Sequence, residues 1–475
     1  MRWQLSTRQF CIIMAGLVAI SATKHALTFC TGPAVIVDDA REYWERGLLV
    51  RDGDWLQIDD EVDYRTPLYP IFLGTMQSLF GSNALFATVI AQHLLQMCSS
   101  LMTAWMCWLL TGSRLVTVAG YALSVACVTR AWFANVTLTG TLFMFLMTAT
   151  LTALAGYYRK PAAWKMAFTG GLLAAATLVR PIPQMLWLPL FGLVFLMPAL
   201  PRVQRLKHAL AGGLALLSVL APAMLRNQLN HDAPYVAKVP PINKWVVCFH
   251  DQSAANLPIP DTAAGRQLLK LLPELEHTFD PDIRNGYRVL RRLKEVGLSD
   301  EQVDKLVTAT CFDAVRANPG VFTWKTFKRL GNFWRTSVDE YPYYSTYDFR
   351  NPKAHVGQHT WRFEPIASWY EIILSHTLSN SVHWLEIDFV ACMLGTLLLI
   401  RRPETRFFGL SLAIIFIYFP VITALLEIES YRYRRVLEPL IVVAIVAGLV
   451  GHWEAKRRTK EPDPAGPDLF TMGTG

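Results

Sequence analysis

The chain has 475 residues, of which 52% are hydrophobic, 12% aromatic and only 17% charged, with a net charge of +8. Soluble chains of this size carry about a quarter charged residues, so the balance excludes an ordinary soluble globular protein. The positive charge does not point to nucleic acid, because its placement follows membrane topology instead.

The first apolar run, Phe10 to Phe29, reaches the ~20 residues a helix needs to cross a bilayer. It shows no clear small-x-small cleavage site and reads as a retained anchor rather than a signal peptide. A long charged loop, 31–66, follows, in which Asp38 to Leu49 reads as a short amphipathic helix on the membrane surface. Further apolar runs lie at 84–111, 115–130, 136–156, 165–180, 183–200, 208–226, 383–400, 407–426 and 436–453. Together these make about ten spans, and the run 67–80 reads as a partial or re-entrant helix.

Between the spans, residues 231–380 form a polar insertion with amphipathic helices expected at 263–278, 282–297 and 299–317. Ser299 and Gln302 stand at capping-box spacing at the start of the third. A fourth helix is expected over 321–336, followed by a Pro- and Ser-broken aromatic stretch, Tyr341 to Tyr347. That stretch reads either as an interfacial aromatic belt or as a stacking surface for a sugar or isoprenoid.

The basic residues of one set of short loops are Arg114; Arg159, Lys160 and Lys165; Arg202, Arg205 and Lys207; and Arg401, Arg402 and Arg406. They share a side with Arg2, Arg8 and the tail residues Lys456, Arg457, Arg458 and Lys460. Such a bias marks the cytosolic face and places both termini there. The expected class is therefore a mostly α polytopic membrane protein with a mainly helical extracytoplasmic insertion. Its divisions are a transmembrane module over 1–230 with loop 31–66, the insertion over 231–380, C-terminal spans over 381–455 and a tail over 456–475.

The eight cysteines show no metal spacing. Five fall in apolar spans, where core roles are expected; Cys248 and Cys311 lie in the insertion, and whether they pair stays open. Asp59, Asp60, Glu61 and Asp63 read as a solvated face, with divalent-cation binding through oxygens as the alternative. His355 and His359 lie in Pro- and Gly-containing sequence and make a poor zinc site. The sequon Asn135-Val136-Thr137 falls on the outer side, close to the membrane. No Gly-rich nucleotide cradle is present.

Two constellations carry chemistry. In Asp38-Asp39-Ala40-Arg41-Glu42-Tyr43, Asp39 and Tyr43 share a helix face, and a carboxylate there can take a proton from an acceptor hydroxyl. Capping is the competing role, and Asp38 can cap while Asp39 faces substrate. The second constellation is a set of arginines at the outer ends of spans, where the topology rule disfavours them: Arg65, Arg180, Arg226, Arg432, Arg434 and Arg435. Singly each reads as an interfacial or ion-paired residue, but together they suit a shared phosphate, whose oxygens match guanidinium forks.

Several of these segments are similar to motifs of one family. Asp38-Asp39-x-x-x-Tyr43 is followed by Thr66-Pro67-Leu68-Tyr69-Pro70 and by Leu178-Val179-Arg180-Pro181. Then come Pro222 to Arg226-Asn227, Ala314 to Pro319 with Lys328 to Trp334, and Arg432-Tyr433-Arg434-Arg435-Val436-Leu437-Glu438-Pro439. In this order they resemble the membrane-embedded GT-C glycosyltransferases, specifically the family of protein O-mannosyltransferases and bacterial aminoarabinose transferases of lipid A. One position departs: where many members have a glutamate in Thr-Glu, this chain has Thr139-Gly140.

The resemblance implies inverting transfer of a sugar from a polyprenyl-phosphate donor to a hydroxyl or phosphate of a glycan, lipid or protein acceptor at the outer face of a bacterial inner membrane. It implies Asp39, beside Asp38, as catalytic base, and Arg65, Arg180, Arg226, Arg432 and Arg434 as donor-phosphate ligands. Tyr43, Tyr69, Tyr344 and Glu429 would contact substrate. It requires no nucleotide or identified metal, with a divalent cation left open. The rival classes are a transporter or flippase for a lipid-linked glycan and an inactive relative that binds lipid phosphate.

Overall fold

The structure is a computed structural model. It describes residues 5–31, 34–36, 39–57, 65–127, 131, 133–231, 234–250, 256–276, 278–280, 282–335, 357–358, 381–427 and 431–460. The described chain is a mostly helical polytopic membrane protein. Each apolar run read from the sequence contains helix among the described residues, from Thr7–Thr31 to the stretch that starts at Glu438. Six described helical stretches are long and apolar enough to cross a membrane, and Arg114–Ala126, Ala163–Val179 and Ile182–Leu196 are shorter apolar ones.

The helix Ala84–Thr111 shows what solvent these helices face. Thr88, Gln92, Gln96, Ser99 and Thr103 are buried, whereas Ile90, Leu94, Leu101 and Trp105 on the opposite face are exposed. Polar residues inside and large apolar residues outside invert the pattern of a water-soluble helix, as a lipid environment demands. The buried hydroxyls are satisfied locally: Thr88, Ser99 and Thr103 each donate to the carbonyl four residues back.

Close helix crossings rest on glycine pairs. A Cβ on Gly395 would lie 2.1 Å from the Ala444 carbonyl oxygen, and one on Gly448 would lie 2.3 Å from that of Gly395. Small residues let membrane helices approach to backbone contact, where packing replaces the absent hydrophobic drive. The partner helix is π-helical over Ala444–Val450, at that same crossing.

The insertion has its own core, in which Trp245, Phe249, Leu268, Leu293, Val307 and Ala314 are buried together. The expected capping box forms, with Ser299 and Gln302 satisfying each other's backbone N–H groups. Two expected helices are shorter than their periodicity suggests: one is Ala263–Leu271, ended ahead of Pro273, and the next is Gly286–Glu295. The fourth starts early, at Pro319, and runs to Arg335. A two-residue antiparallel ladder joins Ala34–Val35 of the first loop to Gly357–Gln358 of the insertion.

Of the cysteines expected in apolar cores, Cys107 and Cys392 are buried, but Cys11 and Cys98 are exposed on their helices. The thiols of Cys248 and Cys311, both buried, share a hydrogen bond and are unbridged.

Asp304 binds Lys244 at 2.7 Å and Lys238 at 2.6 Å, clamping its helix to the segment before and within Pro241–Phe249. Burial works against its charge, yet the two lysines outweigh it and hold the carboxyl below its ordinary value of 3.8. The contribution is therefore complete above that value and is lost as pH falls through the folded-state pKa. Asp304→Asn should cost about 1–2 kcal/mol at pH 7. The difference from wild type should shrink below about pH 4 in paired thermal melts.

Candidate active site

The helix Asp39–Arg51 begins with two carboxylates in its first turn, a placement its dipole favours. Arg65, just before the next helix, reaches back to them. Its Nη2 donates to Asp39 Oδ1 at 2.8 Å and to Glu42 Oε2 at 2.7 Å, and its Nη1 donates to the Tyr43 hydroxyl at 3.2 Å. Burial opposes the charge on Arg65, but Tyr43, Asp39 and Glu42 outweigh it and raise its pKa. Glu42 also accepts from Arg46 at 3.0 Å. Arg65 thus pins a carboxylate pair rather than standing with the other span-end arginines.

A buried bridge leads from this cluster into the helices. The Tyr43 and Tyr69 rings meet edge to face, 5.4 Å between centroids. The Tyr69 hydroxyl donates to Gln92 Oε1 at 3.1 Å, and Gln92 Nε2 donates to the carbonyls of Ala134 and Val136. These carbonyls fix the segment that delivers Phe133, Thr139 and Gly140. Arg180 lies within electrostatic reach of Tyr69 as well.

Arg180 ends its helix by turning to extended backbone ahead of Pro181, where an α conformation is disfavoured. Its Nε donates to Thr139 Oγ1 at 2.7 Å, and its guanidinium lies 5.8 Å from the Phe143 ring and 5.7 Å from the Tyr433 ring. Arg435 stacks on Phe133, 3.5 Å from the ring centroid. The two guanidiniums converge at Gly140, where the Nη2 atoms lie 2.7 Å (Arg435) and 3.6 Å (Arg180) from the Cβ position.

The other expected residues divide. Arg226 is buried and donates twice to Asn227 Oδ1, while Asn227 holds the carbonyls of Tyr235 and Val236. Arg434 donates to the Trp334 carbonyl at 2.6 Å and neighbours Asp388. Asp38, Glu429, Tyr344, the acidic residues 59–63 and the histidines 355 and 359 lie outside the described residues, as does the side chain of Arg432. Among the described residues no three His, Cys, Asp or Glu side chains gather as a metal site.

The sequence assigns no role to Glu42, Phe133 or Thr139 and presents Arg435 only as one of the span-end arginines; the bare Gly140 is the other signal for this cluster. The sequon is closed: Asn135 is buried, its Nδ2 donates to the Thr28 carbonyl at 2.9 Å, and its Oδ1 lies 2.8 Å from His93 Nε2.

No family model and no curated protein sequence matches the chain. Among solved structures it is similar to the archaeal oligosaccharyltransferase AglB from Archaeoglobus fulgidus in complex with an inhibitory peptide and a dolichol-phosphate. That match has a TM-score of 0.47 and 13% identity, covering 97% of this chain and 53% of that one. A second structure, the Archaeoglobus fulgidus oligosaccharyltransferase tethered to an acceptor peptide containing an NVT sequon, matches with a TM-score of 0.44 and 13% identity over 96% of this chain and 51% of that one. The chain spans about half the length of each.

Proposed function

We propose that the chain is a GT-C-type membrane glycosyltransferase that moves a sugar from a polyprenyl-phosphate donor to an acceptor hydroxyl. The supporting observation is the bridge of Tyr43, Tyr69 and Gln92, which ties a carboxylate cluster at Asp39 to a guanidinium pair at Gly140. One end suits a proton acceptor and the other a departing phosphate.

In this reading Asp39 accepts the proton of the acceptor hydroxyl as its oxygen attacks the anomeric carbon from the face opposite the phosphate. The bond from that carbon to the phosphate oxygen breaks, its electrons stay on the phosphate, and the sugar inverts. Arg180 and Arg435 meet the charge that develops there, the role of preplaced cations in a low-dielectric site. Arg65 positions Asp39 and Tyr43. Arg226 fixes the backbone after its helix, Arg434 fixes the Trp334 end of the insertion, and Arg432 joins the phosphate set. Both termini lie in the cytosol and the site faces outward, following the loop lysines and arginines, and a bacterial inner membrane is the setting the family resemblance implies.

The test is radiolabelled sugar transfer by the purified protein from polyprenyl-phosphate donors to lipid, glycan and peptide acceptors. Product formation supports the reading. Donor binding without turnover across the acceptor set leaves an inactive relative. Movement of labelled lipid across vesicles without transfer makes it a flippase.

A further inference from the structure

The helix Pro319–Arg335 of the insertion is amphipathic in reverse. Lys325, Arg329 and Phe333 are buried, while Val321, Trp324 and Phe327 stand 42%, 62% and 61% exposed. The two cations are used inside: Lys325 Nζ donates to the Cys248 carbonyl at 3.1 Å, and Arg329 Nη1 to that of Val247 at 3.0 Å. Those carbonyls belong to the last turn of Pro241–Phe249, where the helix dipole favours positive charge. On the other side, Val321, Trp324 and Phe327 follow one another at three-residue steps and form one apolar stripe. Lys328 Nζ lies 5.7 Å from the Trp324 ring at its edge.

The foot of this helix fixes its depth. Trp334 packs against Phe389 and Phe416, with ring centroids 5.0 and 6.0 Å apart. Phe416 lies ten residues inside the Leu426 end of Arg406–Leu426, and Phe389 eight residues inside the Ser381 end of Ser381–Arg401. At the rise of an α-helix, Trp334 therefore sits about 12–15 Å below the ends remote from the turn between Arg401 and Arg406. Phe327 and Trp324 precede Trp334 by seven and ten residues. Even an upright helix lifts them only about 10–15 Å, and any tilt lifts them less. Both side chains thus stay at the level where the spans end. Ile387 and Val390, beside Phe389, are exposed as well, so the apolar surface of the spans continues onto this helix.

We infer that Val321, Trp324 and Phe327 form a bilayer-docking face, which seats the insertion in the headgroup and upper acyl region of one phospholipid leaflet. Depth and continuity with the span surface select lipid over a soluble partner. The residue types suit that zone, because an indole ring bridges apolar and polar layers and a lysine ammonium reaches out to lipid phosphates. The face is independent of whether the chain transfers sugar.

The experiment places p-benzoylphenylalanine at Trp324 or Phe327 of the full-length protein in vesicles of phosphatidylethanolamine and phosphatidylglycerol. Tyr287, 74% exposed on another helix of the insertion, is the control position. After irradiation, mass spectrometry should find phospholipid adducts at Trp324 and Phe327 and few at Tyr287. Adducts confined to peptides of the same chain would mean that the chain covers its own face. Crosslinked dimers would make it a contact between copies, and lipid adducts no more frequent than at Tyr287 would leave it in water. Each of these overturns the docking face. Wild type supplies a second measurement that needs no substitution. Hydroxyl-radical labelling in the same vesicles should lose most of its yield at Trp324 and Phe327 and keep it at Tyr287, and labelling of Trp324 as strong as that of Tyr287 overturns the proposal.

Discussion

Asp39→Asn should lower the turnover of sugar transfer about 10²- to 10⁴-fold, the range a positioned general base contributes. Asparagine has the same shape and still offers Oδ1 to Arg65, whose remaining contacts to Glu42 and Tyr43 are untouched. Folding and donor binding should therefore stay close to wild type, and the loss should fall on kcat. The acid limb of the pH–rate profile should flatten, because the group that must be ionised is gone. Glu42→Gln serves as the contrast. Glutamine keeps one oxygen for Arg46 or Arg65 but not both, and loses the charge they share, so it should change position and stability but keep the acid limb. Full turnover with an unchanged profile in Asp39→Asn would reduce Asp39 to an ion-pair partner of Arg65.

Gly395→Leu should damage the fold severely, costing about 3 kcal/mol or more. Its Cβ would meet the Ala444 carbonyl oxygen at 2.1 Å and the Ile445 Cα at 3.3 Å, so backbone rather than side chain must move. Separating those helices also disturbs the π-helical stretch Ala444–Val450. Gly213→Ala provides the control: nothing lies within 4 Å of its Cβ position, and alanine is the better helix former, so its melt should be unchanged or slightly higher. Thermal unfolding of the detergent-solubilised variants measures both.

The helices were legible because their signal is strong and local. Runs of about 20 apolar residues leave few alternatives to a membrane helix, and Ser299 with Gln302 announced a helix start that the structure reproduces. Boundaries were less legible. Pro273 cuts a helix whose amphipathic periodicity runs past it, and the helix from Arg202 continues through Pro222 to His231. In the candidate site, Asp39, Tyr43 and Arg65 were recognisable as unusual residues for an outer loop. That Arg65 would turn toward Asp39 was not, since the contact crosses 26 residues of sequence. Arg435 was obscured by its neighbours: three arginines within four positions look alike until packing sends one to Phe133 and another to the Trp334 carbonyl.

The buried Asn135 has a consequence for the molecule as a target of its own chemistry. A chain that carries an Asn-x-Thr triplet and is proposed to work on sugars invites self-modification, and this fold forecloses it. Both amide functions of Asn135 are engaged, by the Thr28 carbonyl and by His93, and Thr137 is buried beside it. Glycan attachment would require dismantling the contact between the first helix and the Gly140 segment. The triplet can therefore serve as a folding reporter: moved into a glycosylating secretory pathway, a correctly folded chain should stay unmodified at Asn135, and a glycan there would mark chains that were caught before that contact closed.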